Sequence, residues 1–381
     1  MRKRNIVYVN FAPYQNTGRI FDYILSNFKQ VIVFTFNFNK LSEKQTPSEL
    51  FIYNEGKLVL RKSLFQLPIS QSLLFTLLPV RSLLISAQVV YHLLRLRKQY
   101  KPLGIFFTVN AFTAFVGNIL RNFGVVSKTI VWVWDYYPPM HQNKIIMLMR
   151  WIYWQFDKQI TKSDSVVFLN ERLQDLRKNI GILPKSKSYP IVPIGTVPQK
   201  ARLKEKNTIL GFVGVVKKSQ GLDLVFDSLK KKSLTEKFSL IVVGGGPDLS
   251  HIKKRASNSN VSVIYSGYVD DEDKIIEILK DCTIGIAPYV PEESNVSYYG
   301  DPSKIKLYLS VGLPVITTDV FVFAKEIKKY KAGVIIDYFD PSSLQKAIEV
   351  INNNYSIYSQ NAIKLARKYQ YQKIYKTLFD V

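Results

Sequence analysis

The sequence is poor in the residues that build metal centres and disulfides. Its 381 residues include one cysteine, Cys282, and three widely spaced histidines, His92, His141 and His251. A single thiol excludes a disulfide framework and a cysteine-built zinc site, and the scattered imidazoles make no ligand pattern. Long apolar runs are also missing. The most apolar stretch, 67–94, is interrupted by Pro79 and Arg81 and holds several Ser and Gln, so no membrane-crossing helix is expected. The run from Ile6 to Val9 is too short for the apolar core of a signal peptide. No motif of an RNA- or DNA-binding module is present, which argues against nucleic acid as a partner. Acidic residues are scarce, with 29 Asp and Glu against 53 Lys and Arg, for a net charge of +24.

The chain nevertheless has ample material for a core. Apolar residues make up 47% and aromatics 13%, which excludes general disorder, and the length suits two domains rather than one. The positive charge is uneven. Residues 1–195 hold 26 Lys and Arg against 9 Asp and Glu, a net of +17, and residues 196–381 carry only +7. Between Gly56 and Trp134 stand ten basic residues and no acid, interleaved with Leu73-Leu74-Phe75, Leu83-Leu84-Ile85 and Val89-Val90-Tyr91. Such a surface suits anionic lipid headgroups, so the expected partner is an anionic membrane surface and the expected location its cytoplasmic face.

Apolar strand-like runs alternate with helical spacing. In the first half, strands are expected at Asn5–Val9, Val31–Phe36, Ile105–Thr108, Thr129–Trp134 and Val166–Leu169. Helices are expected at Arg19–Phe28, within 70–99, at Ala111–Asn122 and at Glu171–Asn179. Residues 184–202 hold four prolines and Gly195 and read as a connection. The alternation then restarts through Thr208–Val213, Ser239–Val243, Val261–Tyr265, Ile284–Ala287 and Val315–Thr318, and ends in helices at Leu344–Asn352 and Ser356–Phe379. This order predicts two α/β units with parallel sheets: an N-terminal domain 1–195, a domain 196–360, and a C-terminal helical segment 361–381 that packs back on the first domain. In open parallel sheets, ligands bind beyond the carboxyl ends of the strands.

The informative motifs lie in the second half. Gly211-Phe-Val-Gly214 leads through Lys217, Lys218 and Gln220 to Gly221, a strand, a glycine turn and a helix start that suit a phosphate. Ile241-Val-Val runs into Gly244-Gly245-Gly246 and Pro247. Further on, Gly300-Asp-Pro-Ser-Lys304 precedes a helix and then Gly312-Leu-Pro-Val-Ile-Thr-Thr-Asp319. Ser303 or Asp301 is placed to cap that helix. Lys304 lies in its first turn, where a cation opposes the helix dipole, so an anionic ligand is expected beside it.

In this order, with Ser266-Gly267-Tyr268-Val269 and Asp281–Tyr289 between them, the motifs resemble the nucleotide-sugar half of glycosyltransferase family 4. The resemblance covers about residues 205–375. It is fainter in the first half, in Val131-Trp-Val-Trp-Asp-Tyr-Tyr-Pro138 and Ser163–Asn170. It implies the GT-B fold: two Rossmann-like domains facing each other across a cleft. It also implies a metal-independent glycosyltransferase of polysaccharide or cell-envelope synthesis, using a UDP- or GDP-linked sugar and no separate cofactor. A glycan or lipid-linked acceptor and retention of anomeric configuration follow from the same resemblance. The diphosphate is then expected near Gly214, Lys217, Lys218, Gln220, Pro302, Ser303 and Lys304. The base is expected near Gly244, Gly245, Gly246 and Tyr268, and the sugar between Tyr289 and Lys304. On the acceptor side the expected residues are Gly18, Arg19, Tyr136, Tyr137 and Asp135, an acid alone between Glu55 and Asp157.

The sequence departs from the family where an Arg and a Lys often flank the first glycine turn: Val215 and Gln220 stand there. Tyr299 and Leu307 occupy the places of two glutamates spaced by seven residues, so Asp301 is expected to take over part of their role as a catalytic-side carboxylate. The alternative is a non-catalytic, nucleotide-sugar-binding subunit of another transferase.

Overall fold

The computed structural model describes residues 5–10, 16–36, 47–66, 77–100, 103–137, 141–202, 207–229, 238–259, 261–269, 271–292 and 296–380. It divides into two compact units, residues 1–193 with 374–381, and residues 194–373.

The first unit is built on seven strands: β1 (Ile6–Asn10), β2 (Gln30–Thr35), β3 (Glu49–Asn54), β4 (Lys57–Ser63), β5 (Ile105–Thr108), β6 (Lys128–Val133) and β7 (Ser165–Phe168). Their order in the sheet is β4-β3-β2-β1-β5-β6-β7. The central strands are parallel, and β3 and β4 form an antiparallel hairpin on one edge that the alternation pattern does not predict. The hairpin turns on Glu55 and Gly56, both at positive φ, the geometry of a two-residue turn that follows strand twist. Its outer strand exposes Leu58, Val59 and Leu60, and Lys57, Arg61 and Lys62 guard that free edge against further pairing.

Helices α1 (Ile20–Asn27), α2 (Leu78–Gln99), α3 (Ala111–Asn122), α4 (Lys144–Asp157) and α5 (Glu171–Asn179) complete this unit among the described residues. The helix expected within 70–99 begins at Leu78, with Pro79 in its first turn, where its missing N–H is harmless. Residues 67–76, which include part of that expectation, lie outside the described residues.

The second unit contains β8 (Ile209–Val213), β9 (Ser239–Val243), β10 (Ser262–Gly267), β11 (Ile284–Ala287), β12 (Val315–Thr317) and β13 (Gly333–Ile335). All pair in parallel, in the order β10-β9-β8-β11-β12-β13. This is the doubly wound arrangement, whose topological switch point lies between β8 and β11. The sheet is packed between two apolar clusters, one around Leu307, Leu309 and Leu365 and the other around Phe212, Leu240 and Ile348. Its helices are α6 (Asp223–Ser228), α7 (Leu249–Ser257), α8 (Glu272–Leu279), α9 (Ser303–Ser310), α10 (Ala324–Tyr330), α11 (Pro341–Asn353) and α12 (Tyr355–Lys368). Cys282 is fully buried here, and burial pushes its thiol up to about 12.

The single helix expected over Ser356–Phe379 is two, broken at Tyr369 and Gln370 before α13 (Tyr371–Phe379). No glycine or proline marks the break. It is imposed by tertiary contact: Thr196 donates its N–H to the Tyr369 carbonyl and accepts the Tyr371 N–H. From Ile374 onward α13 belongs to the first unit. There Tyr375 meets Trp132 edge-on at 5.4 Å and donates its hydroxyl to the Gly18 carbonyl at 2.7 Å, while Phe379 contacts Tyr23, Phe28 and Phe107.

Candidate active site

The second unit places its sequence motifs at the switch point. The chain leaves β8 at Gly214, with φ of +130°, and leaves β9 at Gly244, with φ of +138°. A Cβ at Gly244 would lie 2.1 Å from the Gly214 carbonyl oxygen, and one at Gly246 would lie 2.3 Å from that of Val216. Two backbones in contact leave room only for glycine. Hydrogen bonds lock them: Val216 N–H to the Gly245 carbonyl at 2.8 Å, and Gly244 N–H to the Gly267 carbonyl at 2.7 Å. Tyr268 follows at once, on the turn beside Gly244. Asp248 ties the first loop down, accepting the Lys218 N–H at 2.6 Å.

Lys304 reaches this turn from the first turn of α9. Its Nζ donates to Gln220 Oε1 at 2.6 Å and lies over the rings of Phe212, at 4.2 Å, and Tyr289, at 4.9 Å. A Cβ on Gly214 would come within 2.9 Å of the same nitrogen. Among the described residues no carboxylate pairs with it. Burial, reinforced by the nearby charge of Lys217, lowers its pKa from the usual 10.5 to about 7. Gln220 itself is buried, held in place by the left-handed turn at Gly221, where a Cβ would strike the Pro288 carbonyl. The structure therefore brings together Gly214, Lys217, Gln220, Gly244, Gly245, Gly246, Tyr289 and Lys304. The side chain of Lys218 is on the exposed side of its turn. The part of the aromatic pair Phe212 and Tyr289 in holding Lys304 has no signature in the sequence.

α9 starts without a side-chain cap: its N-cap is Pro302, and Ser303 is exposed. This corrects the expectation that Ser303 or Asp301 caps it. Asp301 is engaged elsewhere. Its carboxylate, 5% exposed, pairs with the buried Lys306 and accepts the Ile194 N–H at 2.6 Å, and Lys306 in turn donates to the Ile194 carbonyl at 3.0 Å. Asp301 thus anchors the start of this unit to α9. Leu307 faces the core. Tyr308 secures α9 from below, accepting the Val213 N–H at 2.7 Å and donating to the Ile286 carbonyl. Asp271 and Asp273, at Asp-x-Asp spacing, stand at the start of α8, where Asp271 accepts the Asp273 N–H at 2.9 Å.

In the first unit, Asp135, Tyr136 and Tyr137 follow β6. Asp135 is exposed, and Tyr137 donates its hydroxyl to the Asp135 carboxylate at 3.3 Å. That negative charge, with burial, holds the Tyr137 hydroxyl well above its ordinary pKa. Tyr136 is buried beneath a guanidinium the sequence did not single out. Arg177 lies over the Tyr136 ring at 5.6 Å, donates to the Asp135 carbonyl at 3.0 Å, and pairs through Nε and Nη2 with Asp157. Both partners are almost fully buried, at 1% and 4%. One signal was available: Asp157 is the one acid in the otherwise apolar α4 segment. Gly18 and Arg19 follow β1, and β5 lies between β1 and β6 in the sheet. Arg19 sits at φ +65° and pairs with Asp22 at 3.3 Å.

Residues 194–369 match the family model described as glycosyl transferases group 1. An uncharacterized glycosyltransferase of Methanocaldococcus jannaschii is 27% identical over 243 residues, which is 58% of this chain and 60% of that protein. The match thus spans about three fifths of the relative's length. Sucrose-phosphate synthase of Thermosynechococcus elongatus superposes with a TM-score of 0.66 over 99% of both chains, at 16% identity. Anabaena HepE, whose structure holds UDP, does so with 0.58 over 99% of this chain and 100% of its own, at 11% identity. The chain has the GT-B fold. Among the described residues, no helix is long and apolar enough to cross a membrane.

Proposed function

We propose that the protein is a glycosyltransferase that moves a sugar from a UDP- or GDP-linked donor to a glycan or lipid-linked acceptor, with retention, at the cytoplasmic face of an anionic membrane. The observation that carries the reading is Lys304: a half-buried ammonium with no carboxylate partner among the described residues, aimed at a glycine turn at the switch point. Glycosyl transfer builds positive charge at the anomeric carbon and negative charge on the departing diphosphate. A site that places a desolvated cation and backbone N–H groups before the reaction favours that separation. Here Lys304, Lys217 and the uncapped start of α9 receive the diphosphate. The Gly244–Gly246 turn lets the nucleoside approach the backbone. On the acceptor side, Asp135 and Tyr137 orient a hydroxyl. In a retaining reaction the departing phosphate takes the acceptor proton, so Asp135 serves to position it. The UDP held by HepE and the group 1 match of residues 194–369 support the donor class.

A second reading, a nucleotide-sugar-binding subunit of another transferase, draws on one observation: the carboxylate expected to serve the sugar, Asp301, is bound to Lys306 and Ile194. A thermal-shift series with UDP- and GDP-sugars, followed by assay of the stabilising donor for transfer by the purified chain, decides between them. A binder raises the unfolding midpoint by mass action. Transfer by the chain alone excludes the second reading, and no shift with any donor sinks both.

A further inference from the structure

α4 packs Phe156 on Phe112 and Phe115 of α3 but turns much of its apolar surface outward. Its sequence, Lys144-Ile-Ile-Met-Leu-Met-Arg-Trp-Ile-Tyr-Trp-Gln-Phe-Asp157, is among the most apolar in the chain, yet the one residue it buries is Asp157, held by Arg177. Ile145, Met147, Leu148 and Trp151 are all exposed, two of them half or more: Leu148 at 50% and Trp151 at 51%. At helical spacing they form one continuous face, with Lys144 beside it and Arg150 on the same turn as Trp151. α2 differs in having a buried side: Ile85, Val89 and Leu93 are buried at four-residue intervals, while Val80, Leu83, Tyr91 and Leu94 are exposed on the other.

An apolar face of this kind marks an interaction site. The charge around it selects the partner. The helix's own acid is neutralised inside, its remaining charges are cations, and residues 1–195 carry a net +17. Apolar side chains with Trp at the boundary and lysine and arginine at the margin fit the interfacial layer of an anionic bilayer. We infer that α4 is the segment that inserts into the anionic membrane surface, with Leu148 and Trp151 at its centre. This rests on the reading that the protein works at such a surface, and it assigns the contact to α4, where Trp151 lies on the exposed face, ahead of the exposed row of α2.

The test floats the full chain, at low salt, with phosphatidylcholine vesicles and with vesicles containing an equal share of phosphatidylglycerol. The wild-type chain is expected to float with the anionic vesicles. The double variant Leu148→Asp, Trp151→Asp is expected to lower partitioning by about tenfold or more, the scale of withdrawing two large apolar side chains. Leu83→Asp, on the exposed apolar row of α2, is expected to change it less than about twofold, and a loss there as large as that of the double variant moves the contact to α2. Thermal unfolding midpoints like that of the wild type show that both variants are folded. Equal flotation of the wild type and the double variant overturns the role of α4 while membrane attachment stands. Failure of the wild type to float overturns attachment itself. Loss of self-association in the double variant, with flotation unchanged, overturns the inference in favour of contact between copies of the chain.

Discussion

The two sheets end in different materials. Where the strands of the second unit finish, the surface is backbone: Gly214, Gly244 and Gly246, each at positive φ, with loops pressed carbonyl against Cα. Where those of the first unit finish, the described contacts run through side chains. Asn10 donates to Tyr8, Asn110 caps α3, and Asp135 accepts from Tyr137. Backbone recognises a group that does not vary among ligands, such as a diphosphate, because its N–H groups offer charge complementarity and no selectivity by shape. Side chains distinguish one ligand from another. The contrast fits the proposed division of roles, with the diphosphate at the second unit and the acceptor at the first.

The comparison is broken most severely by variants that collapse one end. Arg177→Met leaves Asp157 buried without a partner and is expected to destabilise by about 3–5 kcal/mol in urea unfolding. If the two ends are separate devices, the chain that remains folded keeps its donor affinity. Gly244→Ala forces a Cβ onto the Gly214 carbonyl in a conformation only glycine adopts readily, for a loss of about 3 kcal/mol together with donor binding. A wild-type unfolding midpoint would mean the two loops are looser than described.

Smaller effects sharpen the contrast. Lys304→Ala is expected to weaken donor binding by about 1–3 kcal/mol in calorimetry, the loss of one charged hydrogen-bond donor. Unchanged affinity removes Lys304 from the site. Because its folded pKa is about 7, well below the 10.5 of an unfolded chain, the free protein should gain stability as pH rises from 7 towards 10.5. Donor affinity should run the other way, since binding stabilises the charged lysine. It should fall by at most about tenfold per pH unit above 7, and Lys304→Arg should flatten the slope. Tyr137→Phe is the mildest: a fall in turnover worth about 0.5–1.5 kcal/mol with donor affinity unchanged, and a parallel loss of donor affinity would contradict the separation of roles.

Much of the core architecture could be read in advance because both sheets announce themselves by short apolar strands that end in glycine or a polar turn. Ala111–Asn122, Ser239–Val243 and Ser303–Ser310 fall where the periodicity puts them. What escaped depends on contacts distant in sequence. The break at Tyr369 is set by Thr196. The β3–β4 hairpin rests on a single Glu-Gly turn within a stretch that reads mainly as basic. α4 has no polar side to give it amphipathic spacing. At the site, spacing located Lys304 and the glycine turns, but it could not show that Asp301 answers to Lys306, five residues on and a buried cation, rather than to a ligand.

Cys282 has one more consequence. It packs against Gly211, where even a Cβ would come within 2.7 Å of its sulfur, and its thiol stays protonated up to about pH 12. A sulfur so enclosed neither meets oxidants nor forms mixed disulfides, because both need an accessible thiolate. The glycine turn at Gly214, three residues on from Gly211, is therefore indifferent to the redox poise of its surroundings. A cysteine introduced on any exposed turn would be the one thiol on the molecule that reacts.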